Sequence, residues 1–349
     1  MKSLHKLTLV LTSMLLVWGC SSPKKQVTEQ KEEPKPTTFH PSEGYVESIE
    51  AELSGIIDTN AKIEVLSEGY AWSEGPVYVP GGDYLLFSDI PNNAIVKWKQ
   101  GEGAKTYITP AGHSGTVDRT GEAGSNGLML NADGQLVLCQ HTDRRIAILN
   151  SDINEPKPQY ITVTGEYEGK RFNSPNDLDI KSNGDIYFTD PPYGLEKGMN
   201  DPAKELDFQG VYKWSASDNS TTLLYKDLTR PNGIAFSPDE KEVYVANSDP
   251  KIATWTVFDV NDEGGLDNPR LLHDSTPFVE GAPGLPDGMD VDANGNIFAT
   301  GPGGIWVFSA EKKLIGKILT GQKTANCTVA PDGYLYMTAH SFFTRIKLK

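Results

Sequence analysis

Six polar residues recur at matching points of a repeated pattern: Glu74, Asn126, Asn176, Asn232, Asp287 and Asn326. Each stands just before or at the start of a short apolar run, in "EGPVY", "SNGLML", "PNDLDI", "PNGIAF", "PDGMDV" and "ANCTV". Carboxylate and amide oxygens, with no thiolate or imidazole at these positions, are hard donors. A ring of them suits a divalent cation: Ca²⁺ first, which takes six to eight oxygens, with Mg²⁺, Mn²⁺ or Zn²⁺ as alternatives. Glu74 and Asp287 balance the charge of one such ion, and the amides fill further positions without overcharging the site. Asn-Gly and Asp-Gly are also ordinary turn sequences. The hairpins, however, have turns of their own at Asp133-Gly134, Asn183-Gly184, Asn294-Gly295 and Asp332-Gly333, so the polar residues are left over for another purpose.

Residues so far apart in the chain can meet only if the elements that carry them repeat. From residue 61 to 349 the chain is self-similar at a period near fifty residues, each unit holding an apolar strand, a tight turn and a second strand. Further strand-like runs, such as "GVYKW" from Gly210 and "GIWVF" from Gly304, bring each unit to about four strands, and no amphipathic helix interrupts them. Six four-stranded antiparallel units in series predict an all-β, six-bladed β-propeller, which leaves only short strand edges exposed. A spare strand at Lys62–Leu66 and another at Phe343–Leu348 predict that the two ends share one blade and close the ring.

In that fold the first strand of each blade lines the central channel, and the polar residue before it stands at one mouth, facing its counterparts. The second strand returns to the same mouth, one strand further out, and ends at Asp89, His141, Asp190, Asn247, Thr300 and His340. His141 and Asp190 are the candidates among these for a general acid or a substrate contact. Asn126 at the ring and Tyr193 in the long connection Pro191–Gln209, which also carries Phe208, complete the expected substrate surface. A second, glycine-rich loop, Thr109–Ser125, holds His113.

The N-terminus reads as an export signal. Lys2 and Lys6 precede the apolar stretch Leu7–Trp18, and Val17-Trp18-Gly19-Cys20 resembles a bacterial lipobox. Residues 1–19 are expected to be a lipoprotein signal peptide, with lipid on Cys20 and residues 20–60, rich in Pro, Lys, Glu and Thr, as a flexible tether. Ser21 and Ser22 point to an outer-membrane lipoprotein of the bacterial envelope. The net charge of −15 and the lack of a basic cluster exclude nucleic acid as a partner and restrict membrane contact to the lipid anchor. Cys139 and Cys327, each in or beside an apolar strand pattern, are expected to pack as free thiols.

The chain resembles the SMP-30/gluconolactonase/luciferin-regenerating family, and within it the bacterial gluconolactonase branch. The resemblance rests on "EGPVY" at Glu74, "LLFSDIPNNAIVKW" at Leu85, "HTDRRI" at His141, "EGKRFNSPNDL" at Glu168, "IYFTDPPYG" at Ile186, "RPNGIAFSPDEK" at Arg230, "PDGMDVD" at Pro286 and "GPGGIWVF" at Gly301, in order along nearly the whole repeat region. It implies a six-bladed propeller with one divalent metal held by Glu74, Asn176, Asn232 and Asp287, although "RFNSPND" offers Asn173 as well as Asn176. It implies hydrolysis of a small sugar lactone, the metal acting as Lewis acid on the carbonyl and Asp287 activating water. A phosphotriesterase or arylesterase at the same site, or a non-catalytic binding propeller, are the rival functions.

Overall fold

The computed structural model describes residues 38–116 and 119–349. The expected signal peptide, Cys20 and the tether as far as residue 37 lie outside the described residues. Among the described residues, no helix is long and apolar enough to cross a membrane.

Six antiparallel sheets make the six blades. Blade 1 runs from Ser73–Val79 to Gly103–Ile108, blade 2 from Ser125–Leu130 to Tyr160–Thr164, blade 3 from Leu178–Ile180 to Thr221–Tyr225, and blade 4 from Pro231–Phe236 to Leu266–Asp274. Blade 5 runs from Met289–Val291 to Leu314–Leu319. Blade 6 is composite: Thr324–Val329, Tyr334–Ala339 and Phe342–Lys347 come from the C-terminus, and Glu64–Glu68 supplies the outer strand. The first strands touch their neighbours in sequence around the channel, and blade 6 returns to blade 1, so the ring closes as the spare terminal strands predict.

Strands in such a ring are buried on both faces, which is why the second strands read as near-continuous apolar runs. Tyr84–Asp89 is buried throughout. Alternate side chains serve opposite joints: Tyr84 and Leu86 pack toward blade 2, whereas Leu85 and Phe87 pack with Tyr336 and Phe343 of blade 6. Phe87 and Phe343 stack with ring centres 4.3 Å apart. Trp255 and Trp306 fill the joint between blades 4 and 5. Cys139 and Cys327 are buried free thiols.

The boundary of the packed domain is corrected. Residues 45–57 belong to the propeller and not to a tether. Tyr45–Ser48 pairs with Leu314–Leu319 as a fifth strand on blade 5. Leu53 and Ile57 are fully buried among Phe298, Ile315 and Ile346. The segment lies outside the repeated units and its strand partner lies more than two hundred residues away, so its apolar residues alone do not announce where they pack.

Candidate metal and substrate site at the channel mouth

A ladder irregularity re-aims the polar residue of most blades. Strand register breaks between Glu74 and Val77, Ser125 and Leu128, Pro231 and Ile234, and Thr324 and Asn326. Such bulges turn a side chain out of the alternation and are frequent beside functional sites. In blades 3 and 5 the first strand starts only after the polar residue, at Leu178 and Met289.

The joints at this level are too tight for a side chain. A Cβ on Gly75 would stand 2.2 Å from the carbonyl oxygen of Asn126, and one on Gly233 would stand 2.1 Å from that of Asp287. The glycine after the polar residue is therefore a packing requirement of the ring. Hydroxyls from the second strands hold the next blade's polar residue by its main chain: Ser88 Oγ donates to the Asn126 carbonyl at 2.8 Å, and Thr189 Oγ1 to that of Asn232 at 2.6 Å. These supports carry no distinctive sequence signal.

Glu74, Asn126, Asn176, Asn232 and Asp287 line one cavity of about 440 Å³, together with Trp72, Glu122, Tyr193, Arg230 and Lys323. Burial pushes the carboxyl groups of Glu74 and Asp287 far above the usual carboxylate range, and neighbouring charges add to it, Asp177 first at Glu74 and Glu74 first at Asp287, with Glu122 contributing at both. The Gly75 N–H, donating to Glu74 Oε2 at 3.0 Å, and the Asn232 side chain at Asp287 oppose it. Asp287 Oδ1 and Asn126 Oδ1 have no hydrogen-bond donor. The buried carboxylate of Glu74, the half-buried one of Asp287 and orphaned acceptor oxygens converging on one space make a donor set that a divalent cation fits. Among the described residues, no group of three or more His, Cys, Asp or Glu side chains is placed to hold a metal ion, so the amides of the ring are needed to complete one.

The sixth position departs from the ring. Asn326 occupies a smaller space further along the channel, where its Nδ2 donates to Asp177 Oδ2 at 3.2 Å and its Oδ1 accepts from Cys327 N at 2.8 Å. It also supports Glu74. The reason is steric: its side chain fills the volume that Gly288 leaves free, where a Cβ would lie 2.0 Å from Asn326 Cγ.

Asn176 lines the cavity, whereas Asn173 is fully buried, its amide donating to the carbonyls of Asp190 and Phe208. Asp190 is displaced from the substrate surface. Its two carboxylate oxygens accept from the main-chain N–H groups of Asn173 and Ser174, both at 2.7 Å, fixing the approach to Asn176. Asp89 and Asn247 do the same work in blades 1 and 4, accepting from Trp72 N and Arg230 N. Asp89, Asp190 and Asn247 thus hold their entry loops by the main chain. His141 is fully buried and is not a wall of the cavity.

Tyr193 is at the mouth, its hydroxyl donating to the Ser248 carbonyl at 3.3 Å. Both ends of the connection that carries it are packed, with Leu195 buried and Leu206 and Phe208 joining the core beside Phe172 and Tyr212, whereas residues 196–205 are exposed or half-buried. Sequence reading missed Trp72, Glu122, Arg230 and Lys323. Trp72 and Arg230 lie two residues from Glu74 and Asn232, and Lys323 three from Asn326, so proximity to the repeated polar residue was the available signal.

A six-bladed propeller whose inner strands deliver carboxylate and amide oxygens to one mouth defines a class of channel-mouth, cation-ready sites. The chain belongs to the SMP-30/gluconolactonase/LRE-like family, whose model matches residues 72–341. It is 37% identical over 313 residues to a gluconolactonase of Zymomonas mobilis, covering 88% of this chain and 86% of that protein. The solved gluconolactonase of Xanthomonas campestris superimposes with a TM-score of 0.74 at 29% identity, covering 87% of this chain and 95% of that one. The calcium-binding regucalcin of Agrobacterium tumefaciens shares the fold, with a TM-score of 0.61 at 18% identity over 82% of this chain and 94% of its own.

Proposed function

We propose that the protein is a metal-dependent hydrolase that opens the ester ring of sugar lactones at the propeller mouth. Family membership and the gluconolactonase relatives support the reaction class. The observation that carries the metal dependence is the unpartnered acceptor Asp287 Oδ1, facing the same cavity as the Glu74 carboxylate. A cavity of about 440 Å³ is of the size that takes a small ligand.

Glu74, Asn176, Asn232 and Asp287 would hold the ion, and their oxygen-only donor set points to calcium, with magnesium, manganese and zinc as alternatives. A divalent cation, when bound, supplies a Lewis acid for the lactone carbonyl and the positive charge that keeps Glu74 and Asp287 ionised. Asp287 accepts the proton of the attacking water. Asn126 donates to the substrate from the ring. Trp72 and Tyr193 give flat walls to a sugar ring, and Arg230 and Lys323 offer donors to its hydroxyls and to the carboxylate of the product. Location in the cell envelope through lipid on Cys20 is part of this reading and rests on the Leu7–Cys20 stretch.

The test is a pH-stat assay of aldonolactones, aryl esters and aryl phosphotriesters, with Ca²⁺, Mg²⁺, Mn²⁺ and Zn²⁺ in turn. Lactones are expected to be turned over fastest, and chelation to abolish the rate reversibly. Preference for phosphotriesters would reassign the substrate class, and failure to turn over any of them would leave a binding propeller.

A further inference from the structure

We propose that Glu122, on the loop between blades 1 and 2, is the proton donor to the leaving ring oxygen of the lactone, and that the buried His141 positions it. The proposal rests on the lactone-hydrolase reading and adds to it a second acid–base group distinct from Asp287.

Four observations converge on Glu122. Its side chain lines the same cavity as Glu74 and Asp287, although its loop belongs to neither blade's inner strand. Its Oε2 stands 3.5 Å from Nδ1 of His141, which is fully buried and whose ring nitrogens make no side-chain hydrogen bond. The loop is pinned on both sides. Asn93 Oδ1 accepts from the main-chain N–H groups of Ala111, Gly112 and His113, and the Arg119 guanidinium donates to the Gly194 carbonyl at 3.0 Å and pairs with Glu196 at 3.2 Å. Gly194 in turn closes over the imidazole, since a Cβ there would lie 2.5 Å from His141 Cβ. A carboxyl group is thereby delivered to the substrate cavity and backed by a ring that is itself held from behind.

The electrostatics suit an acid. The Glu122 side chain keeps 35% of its surface exposed, and the partial loss of solvent on the cavity wall pushes its carboxyl up toward about 7. Burial pushes His141 down to about 4, partly offset by the main chain of Glu122, so the imidazole is neutral. A neutral imidazole orients the carboxyl without stabilising its anion, as an imidazolium would. The other groups facing Glu122 across the cavity are Glu74 and Asp287, the Tyr193 hydroxyl, Arg230 and Lys323, and His113 and Arg119 share its loop.

Lactone hydrolysis needs two proton transfers. The water oxygen bonds to the carbonyl carbon as its proton passes to Asp287. The bond from that carbon to the ring oxygen then breaks, and the ring oxygen keeps the electron pair and takes the proton of Glu122. Solvent carries the proton from Asp287 back to Glu122, and the balance is one water and one lactone giving one hydroxy acid. Two carboxyl groups in one site with opposite duties follow the usual division of acid and base in hydrolases.

The experiment compares wild type, Glu122→Gln and His141→Gln, each loaded with divalent metal and checked for folding by circular dichroism. The substrates are an aldonolactone and an aryl lactone whose leaving oxygen is a phenol and needs no proton. Glu122→Gln should lose about 10²–10⁴ in kcat on the aldonolactone, lose only a few-fold on the aryl lactone, and lack the alkaline fall in kcat. His141→Gln should shift the pH of that alkaline limb with little change in KM. Equal losses on both substrates, or an alkaline limb that survives in Glu122→Gln, would overturn the assignment of Glu122. An unmoved pH profile in His141→Gln would overturn that of His141. Wild-type enzyme inactive on every lactone would instead sink the lactone-hydrolase reading itself.

Discussion

Gly233 and Asp287 meet across the joint between blades 4 and 5, the position of a Cβ on the glycine lying 2.1 Å from the aspartate carbonyl oxygen. The main chain that presents Asp287 to the cavity is therefore placed by the absence of a side chain on its neighbour. Gly233→Ala should force the two blades apart at the mouth and cost about 1–3 kcal/mol, the usual penalty of overpacking. Thermal melting and metal titration check this: both Tm and metal affinity should fall, and an unchanged affinity would separate the joint from the site.

Asp287 and Asn326 occupy equivalent repeat positions but different places in the channel. Asp287→Asn should fold and lose about 10²–10⁴ in kcat at saturating metal, the range for removal of a general base. Asn326→Ala should keep most of its kcat and instead lose stability, because Asp177 would lose its buried amide donor. Lactone assays and melts on both variants decide between these outcomes, and a collapse of metal binding in Asn326→Ala would return Asn326 to the ring.

The channel below the mouth holds half-buried carboxyl groups whose ionisation works against the fold. Burial pushes Asp179 up to about 7 and Asp290 up to about 6, against main-chain N–H donors from Phe236 and Val329. A carboxyl group whose pKa is higher in the folded than in the unfolded state binds its proton more tightly when folded. Its contribution to stability is present at low pH and is lost as pH rises from about 4, the unfolded value, through 6 to 7. Metal-free protein should accordingly show a Tm that falls between pH 5 and about 8, measured by calorimetry in chelator. A Tm that rises over that range would refute the sign.

Leu53 is fully buried although it lies before the first blade. Leu53→Ala should cost about 2–5 kcal/mol, whereas removal of residues 1–37 should leave the Tm of the remaining domain unchanged. Melting of the two variants tests whether the packed domain includes this segment.

The proposed envelope location predicts that Cys20→Ser leaves the protein without lipid and shifts it from the membrane to the soluble fraction, since acylation needs that thiol. Fractionation and lipid labelling read this directly, and a variant that still partitions wholly with membranes would refute the anchor.

The sequence by itself determined the number of blades, the shared terminal blade and the polar residues of the mouth. The physical reason is locality: alternation in a strand, an Asx turn and a polar-Gly pair are each written within a few residues, and their repetition implies the ring. The tertiary structure alone decided which of those residues share a cavity. Asn326 drops below the ring because Gly288, on another blade, leaves room for it. Asp190 is claimed by the main chain of its own entry loop. His141 reaches the cavity only through Glu122, a residue in no repeated position, because Gly194 from a third loop allows the imidazole to be covered. Such outcomes depend on separations of a few ångströms between segments far apart in the chain, and those distances are set by how whole blades pack.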